Sequence, residues 1–164
     1  MASKKLLTLV FVREHDKILL GLKKRGFGAG KWNGFGGKVE PGESIAEGAL
    51  RELKEECGLT ALELRKIGLV EFEFENDPNL LQVHVFDTYN YQGQITESEE
   101  MQPQWYDVKD IPYEKMWLDD TYWYPYMLRS EPFKGYFLYR GMDHIVHHKI
   151  EKLDFEQLDD LPPK

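Results

Sequence analysis

Fifteen residues, "SIAEGALRELKEECG" from Ser44 to Gly58, leave the chain less conformational choice than any other segment. Ser44 stands three residues before Glu47, the spacing of a capping box, in which each side chain satisfies the other residue's backbone N–H. Ile45, Ala46, Ala49, Leu50, Leu53 and Cys57 recur at helical intervals and predict a buried stripe. Gly58 can take left-handed backbone and predicts the stop. That stripe forces Glu52, Glu55 and Glu56 together on another side of the helix. Like charges three or four residues apart cost roughly 0.2–0.5 kcal/mol per pair if nothing neutralises them. The turn is therefore either a solvated acidic face or a seat for a cation, and its spacing alone favours solvation.

The upstream context shifts that balance. "RGFGAGKWNGFGGK" (25–38) is rich in glycine with interspersed aromatics, as expected of a loop whose backbone must approach a ligand closely. Lys23, Lys24, Arg25, Lys31 and Lys38 bracket it. Phosphates together with a metal ion account for glycines, cations and carboxylates at once, whereas solvation accounts only for the carboxylates. Three carboxylates in one turn suit a hard divalent cation such as Mg²⁺, which takes oxygen ligands and keeps several waters. The net charge of −8 argues against a nucleic-acid polymer as partner, which would require a broad basic face.

A length of 164 residues fits one domain. The expected organisation is a single domain over 1–156 and a loose acidic tail over 157–164, within the proline-bearing end "DFEQLDDLPPK". Strands are expected at 6–12 and 17–24, joined as a hairpin, then at 67–75, 80–89 and 102–108. The segment "DTYWYPYMLR" (120–129) reads as an aromatic helix, and 135–141 and 143–153 as two last strands. This mixture predicts an α/β sandwich. A single cysteine excludes an internal disulfide framework and suits a reducing compartment. No apolar run approaches a membrane span, and the start reads as a strand, not a signal peptide.

The pattern Gly37, five residues, Glu43, seven residues, Arg51-Glu52-Leu53, one residue, Glu55-Glu56, one residue, Gly58-Leu59 resembles the complete Nudix box over 23 residues. The resemblance implies an α/β/α sandwich with a mixed sheet and a loop–helix–loop catalytic motif. It implies hydrolysis of nucleoside diphosphates linked to another group. It makes Glu52, Glu55, Glu56 and the carbonyl of Gly36 metal ligands for Mg²⁺, with Mn²⁺ able to substitute. Glu56 would activate water, Arg51 would orient a glutamate, and Glu43 would support the loop–helix junction.

Two further stretches, "KKRGFGAGKWNGFGGKVEPGE" and "MWLDDTYWYP", resemble the oxidised purine nucleoside triphosphatases, the vertebrate MutT homologues. That family converts oxidised dGTP or dATP to the monophosphate and pyrophosphate. By this resemblance Asn33, Asp119 and Asp120 would hydrogen-bond the purine and Trp117 would stack on it. Phe27, Phe72, Phe74, Met101 and Trp123 would wall the pocket, with Phe35, Gly36, Gly37, Lys38 and Leu118 beside the substrate. Thr8 and Lys23 would lie near the sugar and phosphates, and Glu100 would add a carboxylate near the metal. Expected substrates are 8-oxo-dGTP, 2-hydroxy-dATP, 8-oxo-dATP and methylated purine triphosphates as free nucleotides. The protein is expected to act as a monomer in the cytoplasm, with mitochondrial and nuclear pools.

The residues supply a physical reason for the aspartate pair. Two adjacent carboxyls buried beside aromatics should not both ionise. A protonated carboxyl donates a hydrogen bond and an ionised one accepts. Which aspartate holds the proton would then decide whether the pocket fits oxidised guanine or oxidised adenine. Against this, adjacent aspartates at a helix start can simply cap it.

Three positions depart from that family's pattern. Leu81 stands for a methionine, Tyr139 for a phenylalanine, and Cys57 for a serine; Cys57 lies on the apolar stripe and is expected to pack. His15, His84, His147 and His148 are given no ligand role; His84 is expected on a sheet surface. The competing readings are a hydrolase of another nucleotide derivative, such as capped RNA ends, and a binding module that recognises nucleotides without cleaving them.

Overall fold

The computed structural model describes residues 3–161. Its sheet begins with the expected hairpin, β1 (Ser3–Glu14) and β2 (Lys17–Lys23), which turn at His15 and Asp16. Period-two alternation sends Phe11, Ile18 and Leu20 into one core and Val10, Val12 and Leu19 into another, on the opposite face. Both faces are therefore covered, and the sheet is the middle layer of a sandwich.

The long strands β5 (Arg65–Phe74) and β6 (Asn79–Thr88) continue the sheet, followed by β8 (Met101–Asp107), β9 (Phe133–Arg140) and β10 (His144–Lys152). A two-residue strand, β3 (Trp32–Asn33), lies inside the glycine-rich segment. The order is β10-β9-β5-β6-β1-β2-β3, with β8 on the other edge of β2. Pairs β1–β6 and β5–β9 are parallel and the rest antiparallel, so the sheet is mixed. Two three-residue strands, β4 (Leu59–Ala61) and β7 (Tyr91–Gly93), form a separate ribbon.

Helix α1 (Ile45–Cys57) has the capping box read from its sequence: the Glu47 amide donates to Ser44 Oγ and the Ser44 amide to Glu47 Oε1. Gly58 ends it with φ +84°. Its buried apolar strip is narrower than expected. Ala49, Leu53 and Cys57 are buried, whereas Ala46 and Leu50 are exposed, because the helix meets the sheet along one narrow line. The aromatic helix α2 (Asp120–Leu128) covers the other face with Trp123, Tyr124 and Met127. Pro125 sits inside it.

The end of the chain corrects the expected loose tail. A short helix, α3 (Phe155–Asp159), crosses the 156/157 boundary, has its own capping box between Asp154 and Gln157, and buries Leu158. Residues 162–164 of that tail lie outside the described residues.

One departure from regular pairing positions the site. β1 pairs with β2 only from Val12 to Glu14, and the two then separate. The loop fills the wedge: β3 pairs with Gly21 and Leu22 of β2, while Phe35 and Lys38 bridge to Val10 and Leu7 of β1.

Candidate active site

The loop enters the wedge because its glycines have no side chains to exclude it. A Cβ on Gly36 would lie 1.8 Å from the Thr8 carbonyl oxygen, and one on Gly37 would lie 2.3 Å from Glu52 Oε2. The Thr8 amide donates to the Gly37 carbonyl at 2.9 Å, which pins the loop to β1. From the other layer, Glu56 reaches the same place, its Oε1 accepting from the Gly36 amide at 3.0 Å.

Glu56 is buried, and burial raises its carboxyl from 4.5 to about 7 against the opposing pull of the Gly36 amide. The nearby charges of Glu52 and Glu100 push it the same way as burial, while Lys23 opposes them. Glu52, half-buried, is also raised, chiefly by burial. These are carboxylates short of positive charge, the condition a divalent cation relieves.

Arg51 organises the rest of the acidic turn. Its guanidinium grips Glu43 with two donors at 2.7 and 3.0 Å and donates to the Lys38 carbonyl at 3.0 Å. It also pairs with Glu52 at 3.3 Å and Glu55 at 3.2 Å. That grip lowers the Glu43 carboxyl, which in turn accepts from the Glu40 amide. The arginine therefore ties the loop to the helix and neutralises part of the acidic face. Arg51 lies among Glu43, Glu52 and Glu55, and the described residues contain no cluster of three metal-ligating side chains.

A cavity of about 780 Å³ opens on the α2 side of the sheet. Glu56, Gly36, Gly37, Lys38, Lys23 and Thr8 line it together with Phe27, Asn33, Phe72, Phe74, Met101, Trp117, Trp123, Asp119 and Asp120. Lys5, Lys31, Leu81 and Tyr139 line it as well. Such a volume suits a drug-sized or nucleotide-sized ligand. Phe27, largely exposed, packs on Trp117 at 5.1 Å and Phe74 at 5.9 Å, and Lys31 lies 5.3 Å over the Trp117 ring.

Asp119 and Asp120 are both buried at the foot of α2. Asp119 occupies the N-cap position, yet its side chain caps nothing, so the reading as a simple helix cap fails. Its Oδ1 accepts from the Tyr139 hydroxyl at 2.6 Å and its Oδ2 from Trp123 Nε1 at 2.7 Å. Burial raises both carboxyls, and Asp120 is raised further because the charge of Asp119 adds to it. Asn33 Oδ1 accepts from its neighbour's Gly34 amide at 2.8 Å and from the Tyr124 hydroxyl at 3.4 Å.

A glycine-lined junction, an arginine-tied acidic helix and a deep aromatic cavity are thus built around the segment 37–59. The NUDIX domain model matches residues 5–127, most of the chain. The chain belongs to the Nudix family. It is 53% identical over 154 residues to the oxidized purine nucleoside triphosphate hydrolase of Danio rerio, covering 94% of this chain and 99% of that protein. It is 47% identical over 154 residues to the protein of the same description from Mus musculus, again covering 94% and 99%. Among solved structures, the MutT protein of Bacillus halodurans superposes with a TM-score of 0.81, covering 90% of this chain and 97% of that one at 24% identity, which shows the shared fold.

Two expected substrate-binding residues, Phe35 and Leu118, lie outside the cavity of this Nudix fold. Phe35 is fully buried in the α1-side core, because its peptide pairs with Val10 and turns the ring away from the cavity. Leu118 is exposed and lines no part of the cavity. Glu55 is solvent-facing. Glu100 is held by Lys23 at 2.9 Å and Arg25 at 2.8 Å, so two cations already balance it. His84 corrects the expectation of a surface position: it is fully buried between Lys66 Nζ at 2.7 Å and Gln82 Oε1 at 3.0 Å. Cys57 is buried and donates to the Leu53 carbonyl, in keeping with packing.

Lys5 and Lys31 were not among the expected site residues. Lys31 belonged to the basic bracket, and Lys5 shares its face of β1 with Leu7 and Leu9, which also line the cavity. That alternation was the available signal.

Proposed function

We propose that the protein hydrolyses oxidised purine nucleoside triphosphates, 8-oxo-dGTP and 2-hydroxy-dATP foremost, to the monophosphate and pyrophosphate, with Mg²⁺ as cofactor. One observation carries the reading: Glu56 of the Nudix helix and the buried Asp119/Asp120 pair line the same cavity. The activity for which the two relatives that match almost the whole chain are named supports it.

The chain's own residues divide the work. Asp119, Asp120 and Asn33 present hydrogen-bonding groups to the purine edge, and Trp117, half-buried in the cavity wall, offers its ring for stacking. Lys23 and Lys38 stand where the triphosphate would meet the glycines. Glu52, Glu56 and the Gly36 carbonyl would hold Mg²⁺, because they meet at the junction where the carboxylates lack positive charge. The bound ion would neutralise phosphate charge and lower the pKa of a coordinated water. Glu56 would accept a proton from the attacking water, and the water oxygen would bond to phosphorus as the anhydride between the α and β phosphates breaks and pyrophosphate leaves. Arg51 keeps the helix face and the loop in register throughout.

Free nucleotides in the cytoplasm, with mitochondrial and nuclear pools, are the proposed setting, and a monomer the proposed state. No helix among the described residues is long and apolar enough to cross a membrane. The test is Glu56→Gln. It should lower kcat at least a hundredfold on 8-oxo-dGTP while leaving the affinity for 8-oxo-dGMP within about threefold. Turnover that survives this substitution would refute the assignment.

A further inference from the structure

The aspartate pair is built asymmetrically. The Tyr139 hydroxyl accepts a hydrogen bond from the Asp119 backbone amide at 3.1 Å, and this engagement directs its own hydrogen towards Asp119 Oδ1, 2.6 Å away. Trp123 Nε1 can only donate, and it faces Oδ2 of the same carboxylate. Both oxygens of Asp119 therefore face donors. Asp120 has the opposite situation: its Oδ2 is buried with no hydrogen-bond partner.

We infer that Tyr139 is a positioning residue that sets the hydrogen-bonding polarity of the pair, holding Asp119 as an acceptor and leaving the shared proton on Asp120, so that the pocket favours 6-oxopurines over 6-aminopurines. This rests on the proposed function. A 6-oxopurine presents a ring N–H beside a C6 carbonyl, the complement of an acceptor beside a donor. A 6-aminopurine in the same orientation puts its amino donor where the Asp120 hydroxyl donates. Accepting it requires the proton to move to Asp119, where Tyr139 or Trp123 would then point a hydrogen at a protonated oxygen. The other titratable groups around the pair are Tyr124 on α2, Tyr113 on the turn 113–115, and Lys31 on the glycine-rich loop. Lys31 is the cation among them, and it acts on Asp120.

Two readouts on wild type and Tyr139→Phe test this. The first needs no ligand: carbon NMR of the aspartate carboxyls against pH. In wild type the Asp119 carboxyl should ionise while Asp120 stays protonated to higher pH, and Tyr139→Phe should draw the two titrations together. The second is calorimetric binding of 8-oxo-dGMP and 2-hydroxy-dAMP without metal. Wild type should favour 8-oxo-dGMP, and Tyr139→Phe should narrow that preference at least threefold. A proton found on Asp119 in wild type, or titrations unmoved by the substitution, would overturn the inference, as would an unchanged or widened preference. If Tyr139→Phe does not fold, Trp123→Phe removes the other donor to the same carboxylate and must shift both readouts in the same direction. Failure of both monophosphates to bind would count against the proposed substrates alone, since the carboxyl titration decides the role of Tyr139 without them.

Discussion

Glu56 is a carboxyl buried for use rather than for stability. Its value in the folded chain, about 7 against an ordinary 4.5, means that the folded protein binds a proton between those pH values that the unfolded chain has released. Stability must then fall as pH rises through this window. The cost is nil below about pH 4.5 and, above pH 7, on the order of 3 kcal/mol. Glu56→Gln should therefore be the more stable protein at pH 8 in chelator, and the two should converge towards pH 5; urea midpoints at both pH values would show it. A wild type more stable than the variant at pH 8 would contradict the assignment. Cys57 is governed by the same physics without a function: burial pushes its thiol up to about 11. It should resist thiol reagents at pH 8 in the native state and react only on unfolding.

Among the elements, the α1 helix with its preceding loop is the most tightly specified. Ser44→Ala removes one side of the capping box and should cost about 1 kcal/mol in thermal or urea unfolding, with little effect on turnover. Gly36→Ala should be far worse, because its Cβ would overlap the Thr8 carbonyl and force the loop out of the wedge. Loss of activity with retained secondary structure is the outcome expected from circular dichroism and an activity assay. The α1 helix was legible in the sequence because its cap, stop and period agree. The strands β3, β4 and β7 were not, since two- and three-residue strands exist only through their partners. The α3 helix starts on a capping signal in "DFEQ" that the expectation of a loose acidic tail leaves out. The carboxylates and aromatics of the site were legible as residue types. What they do to one another was not: the contact of Tyr139 with Asp119 joins positions far apart in the chain.

At the scale of the whole molecule, the separation of β1 from β2 is the feature on which the site depends. It lets Glu56, from a helix on one face of the sheet, reach a cavity on the other. Base recognition and hydrolytic chemistry thereby come from different layers and meet through the glycine loop. If the junction holds Mg²⁺, the ion should stabilise the folded protein by linkage, by about 2.7 kcal/mol at a hundred times its Kd. That gain should be larger at pH 8 than at pH 6, because protonated Glu56 competes with the metal, and it should be much reduced in Glu56→Gln. Thermal midpoints with and without Mg²⁺ would measure it. The central claim, that one cavity both selects oxidised purines and cleaves their triphosphates, is tested most directly by pyrophosphate release from 8-oxo-dGTP and ordinary dGTP, each with and without Mg²⁺. Metal-dependent release at least tenfold more efficient for the oxidised base is predicted; equal rates for the two bases, or no release with binding retained, would contradict it.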